Sequence, residues 1–255
     1  MAHSTKSLDL FFRSHLDIEG FASNDDSLNG LQIDNDGAGI KKIAFAVDAN
    51  MEVFQKAREA GADMIFAHHG MFWGKPVVVE KALRDRLKFL LDNNIALYAA
   101  HLPLDAHPTL GNNAALAELL GITNPEPFAN YHGKYIGFKG LLAEPLSVSE
   151  AAERISFMGR PVYGVMPFGK EKNLTAAVCS GGAAYEAMEA IADGVDLYVS
   201  GEYNHHNHHW AKESGLNIIA GGHYMTEVWG VLRVMELVKK ELGVEGVFID
   251  APTGL

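Results

Sequence analysis

The segment Ala62-Asp63-Met64-Ile65-Phe66-Ala67-His68-His69-Gly70 decides the fold and indicates where a site lies. Its apolar run predicts a buried strand over residues 63–67 that ends in two imidazoles. In α/β proteins, ligands bind at the carboxyl ends of the strands. The segment therefore favours a functional site at His68 and His69, although a polar strand end exposed to water is the simpler alternative.

Strands and helices alternate on both sides of this segment. We predict strands over residues 42–47 and 95–100, and helices over residues 51–60, 81–93 and 114–120. Such alternation is typical of a mainly parallel sheet with helices on its faces. The sequence therefore predicts the α/β class.

The later part of the chain repeats this pattern. Strands are predicted at 174–179, 195–200 and 216–220, followed by a long helix at about 225–242. Residues 59–65 and 192–198 share a Gly-hydrophobic-Asp sequence before a strand, which indicates either an ancestral duplication or the recurring pattern of α/β units. Residues 125–140, rich in Pro, Gly and aromatics, are interpreted as the separator between two units, with a boundary near residue 128.

Composition excludes several classes of protein. The net charge of −11, with only 21 scattered Lys and Arg, argues against duplex nucleic-acid binding. No apolar run approaches the roughly 18 residues of a membrane span, and no secretion signal is recognisable. Cys179 is the only cysteine, so an internal disulfide is impossible and a cytoplasmic location is expected.

Two further pairs of polar residues follow predicted strands. His101 and Asp105 flank Pro103, which predicts a structured loop rather than a helix. His223 and Glu227 are spaced i, i+4 and so share one face of the long helix. Imidazoles beside carboxylates suit Zn, Mn or Fe and favour a metal site holding two ions. The alternatives are that Asp105 caps a turn and that Glu227 serves helix-end electrostatics.

The densest histidine cluster lies at residues 201–210. His205 and His209 have the i, i+4 spacing of a helical metal pair, but no carboxylate or cysteine follows to complete such a site. A solvated polar face and a wall of a substrate crevice remain as alternatives. We interpret His205 and His206 as the wall, and the other two histidines of the cluster as surface residues.

Taken together, these motifs resemble the dinuclear metal-centre family known as type 2 GTP cyclohydrolase I, which is related to the Ngg-interacting-factor proteins. The resemblance covers essentially the whole chain and is to the short form without an inserted domain. One departure is Leu102-Pro103, where the family usually has Thr-Asn. The motifs that carry the resemblance are residues 26–32, Ala67-His68-His69-Gly70, residues 101–105, Ser200-Gly201-Glu202 with His205-His206, and residues 222–227.

The resemblance implies a ligand set and an architecture. Glu227 would bridge two divalent ions (Fe, Zn or Mn) per subunit, and His101 would lie in the site as an additional ligand or a proton carrier. In a hydrolase, His101 or one of His205 and His206 would shuttle protons. The remaining ligands would be His69 and Asp105 on one ion, and His68 and His223 on the other. Two interlinked α/β domains are implied: residues 1–127 with 224–255, holding the metals, and residues 128–223. The family assembles as a homohexamer, a ring of dimers.

The function expected from the resemblance is that of a metal-dependent hydrolase. It would act on a nucleotide or related small molecule through a metal-bridging hydroxide, with GTP ring opening as the family's reaction. The alternative is a non-catalytic metal-binding ring that serves as an assembly factor, a chaperone or a nucleic-acid-associated protein. The motifs specify the metals and leave the substrate open.

Overall fold

The computed structural model describes residues 2–255. Its contacts divide the chain into two compact units. The first comprises the described residues up to Leu104 together with Val231–Ala251, and the second comprises Asp105–Gly230 and Pro252–Leu255. Residues 105–127 thus group with the second unit, whereas the sequence placed them in the first domain. Because contact groups and independently folding domains are different properties, the predicted domain boundaries stay a prediction.

The first unit contains a five-stranded sheet. Its strands are β1 (Gly30–Ile33), β2 (Lys42–Asp48), β3 (Met64–His69), β4 (Ala96–Ala99) and β11 (Glu245–Phe248). They are ordered β1-β4-β3-β2-β11, and every neighbouring pair is parallel except β1 with β4. The carboxyl ends of β2, β3 and β4 therefore meet at one edge of the sheet.

Helices cover this sheet and bury its strands. They are α1 (Thr5–His15), α2 (Ile18–Phe21), α3 (Met51–Glu59) and α4 (Lys81–Asp92). The side chain of Asn50 caps α3 by accepting from the Val53 amide, and Phe54 packs into the core with Ile65 and Leu97. All residues of β3 but the last are buried, as in a strand covered on both faces.

The second unit contains a six-stranded sheet. Its strands are β5 (Ile122–Tyr131), β6 (Lys134–Leu146), β7 (Gly164–Pro167), β8 (Asn173–Cys179), β9 (Leu197–Ser200) and β10 (Asn217–Ala220). The order is β5-β6-β8-β9-β10-β7, in which β8, β9 and β10 are parallel and the other pairs antiparallel. The predicted α/β class is confirmed, with two mixed sheets flanked by helices.

The remaining helices complete the fold. They are α5 (Leu102–Asp105), α6 (Asn112–Leu120), α7 (Val148–Ile155), α8 (Ala187–Ala192), α9 (His205–Ser214) and α10 (His223–Leu242). Ser147 and Glu150 form a capping box at the start of α7. No helix within residues 2–255 is long and apolar enough to cross a membrane.

The interpretation of residues 125–140 as a separator is wrong, because they belong to a β-hairpin. Tyr131 pairs with Lys134 across a two-residue turn. Both turn residues have positive φ, 49° at His132 and 88° at Gly133, which matches the twist that tight hairpins require. The prolines that suggested a linker lie in β5, an edge strand, where a missing amide donor is tolerated.

The Gly-hydrophobic-Asp repeat has the same structural role in both units. Asp63 Oδ2 accepts from the amides of Lys41 and Lys42 at 2.8 and 3.1 Å, at the start of β2. Asp196 Oδ2 accepts from the amides of Leu174 and Thr175 at 2.9 and 3.2 Å, in β8. Each carboxylate therefore ties the turn before one strand to the beginning of its parallel neighbour.

Candidate metal centre

Three imidazoles of the first unit form a cluster at the carboxyl ends of two neighbouring parallel strands. His68 and His69 end β3, and His101 follows β4. One ring nitrogen from each of the three lies within 4.8 Å of the others, and the ring centroids are 4.6 to 5.5 Å apart. We call these three residues the imidazole cluster. Its geometry suits a transition-metal ion.

Each ring of the imidazole cluster is oriented through its Nδ1 atom. Nδ1 of His68 lies 3.0 Å from the carbonyl oxygen of Ala100. Nδ1 of His69 lies 2.8 Å from Asp48 Oδ1, and Nδ1 of His101 lies 2.9 Å from Asp25 Oδ1. A neutral ring that donates through Nδ1 presents the Nε2 lone pair as a metal donor. The donor set therefore fits a bound metal ion.

Asp25 is a supporting residue that the sequence analysis missed. Besides His101, its carboxylate accepts from the amides of Ser27 (2.9 Å) and Leu102 (3.0 Å) and from the Asn29 side chain (2.8 Å). Burial raises the pKa of Asp25, but His101, Asn29 and Ser27 together lower it below its usual value. The carboxylate is thus charged at neutral pH. Asp25 lies one residue before residues 26–32, one of the motifs that carry the family resemblance.

Asp48 supports His69 in the same way and was also missed. The predicted strand ended at residue 47, whereas β2 continues to Asp48. In the parallel register Asp48 pairs with His69, which brings the carboxylate to the ring. The signal in the sequence was Asp48 itself, a carboxylate that directly follows the strand predicted next to the one ending in His68 and His69.

The second unit contributes two buried carboxylates, Asp105 (5% exposed) and Glu227 (3% exposed). Asp105 Oδ1 accepts from the Asn112 side chain at 2.8 Å and from the Ser180 hydroxyl at 2.9 Å. Two donors on one oxygen hold the carboxylate in a fixed orientation. A buried carboxylate held in this way is a suitable ligand for a hard or borderline cation.

His223 lies between two carboxylates at the beginning of α10. Its Nδ1 is 2.6 Å from Glu202 Oε1, and its Nε2 is 3.3 Å from Glu227 Oε1. Burial lowers the pKa of His223, but Glu227 and Glu202 overcome this and raise it to about 10. This group of side chains holds a proton strongly, and a metal ion would compete with that proton for the ring nitrogen.

A glycine makes room for the Glu227 carboxylate. Gly181 follows β8 with φ of +66°, and a Cβ at this position would overlap Glu227 Oε1. The Gly181 amide donates to Thr226 Oγ1 at 3.0 Å, one residue before Glu227. The strand end and the first turn of α10 are therefore fitted to each other.

The prediction of a loop between His101 and Asp105 is wrong, because Leu102–Asp105 forms the short helix α5. Pro103 lies in its first turn, where the missing amide hydrogen is not needed. The turn is closed by the Leu104 amide, which donates to the carbonyl of His101 at 2.8 Å.

The structure places His205 and His206 on the first turn of α9, and both are exposed. Their rings are 6.2 Å apart. Among residues 2–255, no group of three possible metal ligands includes either of them. Their predicted role as proton carriers or as a crevice wall stays a prediction.

The fold and these side chains define an α/β protein in which each sheet carries possible metal ligands at the carboxyl ends of its parallel strands. The chain belongs to the Duf34/NIF3 (NGG1p interacting factor 3) family, whose model matches residues 4–253. The family resemblance inferred from the motifs is thereby confirmed.

Relatives of known sequence match over nearly their full length. The chain is 42% identical over 245 residues to a GTP cyclohydrolase 1 type 2 homolog of Archaeoglobus fulgidus, covering 96% of this chain and 97% of the relative. It is 40% identical over 246 residues to the protein of the same name from Pyrococcus horikoshii, with the same coverage.

Solved structures also match over nearly their full length. Protein ybgI, of unknown function, superimposes with a TM-score of 0.90 at 34% identity, covering 99% of this chain and all of that one. TTHA1606 from Thermus thermophilus gives the same values. Reduced HcgD from Methanocaldococcus jannaschii has a TM-score of 0.84 at 29% identity, covering 98% of this chain and 99% of its own.

Proposed function

We propose that the protein binds two divalent metal ions and acts as a metal-dependent hydrolase on a nucleotide or a related small molecule. The observation that carries the proposal is the imidazole cluster, in which all three Nδ1 atoms are engaged and the rings present Nε2. The relatives named GTP cyclohydrolase 1 type 2 homolog support the substrate class. The proposed ligands are His68, His69, Asp105, His223 and Glu227.

The charge of this ligand set suits an anionic substrate. Three of the five ligands are imidazoles and two are carboxylates, so the two carboxylates would neutralise half of the charge of two divalent ions. Divalent ions held in this way would accept an oxygen atom of phosphate or of another anion as a further ligand. Glu227 is proposed as the bridging ligand because its two oxygens can serve two ions.

His101 is proposed to move protons, and service as an additional metal ligand is the alternative role. When bound, two ions would polarise the bond under attack and lower the pKa of a coordinated water toward about 7. His101 is held by the charged Asp25, and its side chain is 21% exposed. An imidazole oriented by a carboxylate and open to solvent can exchange protons with the site and with water.

Assembly, metal and location complete the proposal. Nitrogen and carboxylate donors suit Fe, Zn or Mn. A homohexamer and a cytoplasmic location are proposed with it, the latter because Cys179 is the only cysteine. Light scattering and cell fractionation would test these two parts separately.

The experiment is elemental analysis of protein purified without an affinity tag, followed by a turnover screen. Two ions per chain, with hydrolysis of GTP or of a related nucleotide, is the expected result. Protein that binds no divalent ion under any loading condition contradicts the metal centre. Two bound ions without turnover of any nucleotide or phosphoester contradicts the hydrolase and favours a non-catalytic metal-binding ring.

A further inference from the structure

Trp73 is a partly exposed aromatic residue beside the imidazole cluster. Its ring centroid lies 4.9 Å from that of His101, at an interplanar angle of 72°, and 6.0 Å from that of His69. The residue is 38% exposed. A tryptophan that serves only the core would bury more of its surface, since this side chain carries a large apolar area.

The Trp73 side chain is held in place from two directions. Its Nε1 donates to the carbonyl oxygen of Gly70 at 2.9 Å, which fixes the ring over the turn that follows β3. The backbone forms a bridge with Ser27, and the next hydrogen bond joins the Leu28 amide to the Phe72 carbonyl at 3.0 Å. A ring fixed in this way loses little conformational entropy when a ligand packs on it.

We propose that Trp73 is the stacking surface for the planar heteroaromatic ring of the substrate. This inference rests on the proposed function and narrows it: a nucleobase, rather than the phosphate chain, is held next to the imidazole cluster. Indole stacks on any base because every base has a π face. Leu28, which is 57% exposed and joined to the Trp73 segment through its amide, offers an apolar neighbour for the same ring.

The chemistry of the cluster selects this occupant. The cluster, when it holds a divalent ion, attracts oxygen or nitrogen donors, whereas the indole attracts a flat apolar face. A nucleobase combines both features in one rigid ring, with polar atoms at its edge and a π surface on each side. A phosphate group or a sugar offers polar atoms but no flat apolar face.

The test compares ligands with and without a ring on the Zn²⁺-loaded protein. GTP and inorganic tripolyphosphate are titrated by calorimetry and by tryptophan fluorescence. The chain has three tryptophans, and Trp210, which is 55% exposed on α9, provides the matched control. We expect GTP to quench the wild type and Trp210→Phe, and to quench Trp73→Phe much less.

Affinity gives the second readout. Trp73→Leu should weaken GTP binding about 10-fold, the loss typical of one base–aromatic stack, and leave tripolyphosphate binding unchanged. GTP affinity within twofold of the wild type overturns the proposal. An equal loss for both ligands also overturns it, because Trp73 would then act only on the structure of the site.

Two further measurements separate this inference from the proposed function and from assembly. A change in oligomeric mass in Trp73→Leu, with GTP affinity unchanged, would mean that a second copy of the chain covers the ring, and overturns the proposal. Metal content is measured in every variant. Wild-type protein without metal contradicts the proposed function, whereas metal-loaded protein without ring-dependent quenching contradicts the stacking site alone.

Discussion

In the first unit the parallel strands β3 and β4 end in imidazoles backed by carboxylates, whereas in the second the strands β8, β9 and β10 end in small residues beside carboxylates. The shared feature is the Asp63 or Asp196 carboxylate that ties the turn before one strand to the start of its neighbour. The backbone connections of the two sheets are thus similar, whereas the side chains at the carboxyl ends of their parallel strands differ.

The difference shows how one α/β pattern supplies two kinds of donor. In the first unit the carboxylates of Asp25 and Asp48 orient the rings of His101 and His69. In the second the carboxylates of Asp105 and Glu227 are themselves buried, with hydroxyl, amide and imidazole groups around them. The first group provides nitrogen donors, and the second provides negative charge.

The largest effect is expected from Glu227→Gln, which keeps the shape and removes the charge. If Glu227 bridges two ions, the metal content should fall from two ions per chain to one or none. Turnover should then fall by about 100-fold or more, because the electrostatic stabilisation of the reaction is lost. Elemental analysis and a turnover assay on the same sample measure both quantities.

The control for this variant is Glu236→Gln, an exposed residue on the same helix. It should keep the metal content and the turnover of the wild type. Full metal content in folded Glu227→Gln would show that the second unit's carboxylate is not a ligand. The buried carboxylate of the second unit would then have no role in metal binding that corresponds to the role of the imidazoles in the first unit.

A smaller effect is expected from Asp48→Asn, which removes the charge behind His69. Supporting carboxylates of metal-binding histidines typically contribute about 10–100-fold to metal affinity. We expect a loss in that range, measured by competition with a chelator. Asp85→Asn, in an exposed pair with Arg84, is the control. If Asp48→Asn binds metal as tightly as the wild type, the charge of Asp48 does not contribute to metal binding by His69.

The sequence identified the residues that are chemically unusual and missed those that support them. His68, His69 and His101 were recognisable because a strand ends at each of them, and His223 with Glu227 because of the helical spacing. Asp25 and Asp48 were not, since a single carboxylate near a strand end has no distinctive pattern. Their role depends on the register that pairs Asp48 with His69 and on the turn that brings Asp25 to His101.

The same limit applies to the fold. The parallel strands were predicted well because each is a continuous apolar run between turn signals. The strand β5 was missed because prolines and exposed residues occupy most of it, and its burial pattern does not alternate. An edge strand bears less of the core, so its sequence is less constrained.

Two glycines of the second unit test how closely its carboxylate is packed. Gly181 and Gly194 have nearly the same φ, +66° and +67°, but only at Gly181 would a Cβ overlap Glu227. Gly194→Ala should therefore lose about 1 kcal/mol of unfolding free energy from the left-handed backbone alone. Gly181→Ala should lose about 2 kcal/mol and also weaken metal binding, because the carboxylate must move.

Chemical denaturation and metal titration of both variants separate the effect of the left-handed backbone from the effect of displacing the Glu227 carboxylate. Equal losses of stability, with metal affinity unchanged in both, would contradict the close fit between the strand end and α10. The first unit offers a further reference, since nothing lies within 4 Å of a Cβ added at Gly61. Gly61→Ala should resemble Gly194→Ala.

The smallest effect concerns the pH dependence of the metal-free protein. The pKa of His223 is raised from its ordinary value of 6.5 to about 10 by Glu227 and Glu202, against the effect of burial. A raised folded-state pKa stabilises the fold fully below the unfolded value, and this contribution is lost as pH rises through the folded value. The metal-free protein should therefore lose stability between about pH 6.5 and pH 10.

Denaturation across this range, compared with His223→Gln, isolates the contribution because other groups titrate equally in both proteins. The His223 side chain is 33% exposed, so solvent screening keeps the effect small. Glu202→Gln should show an intermediate slope, since one of the two carboxylates remains. Parallel curves for the wild type and His223→Gln would mean that the second unit's carboxylates do not hold a proton on His223.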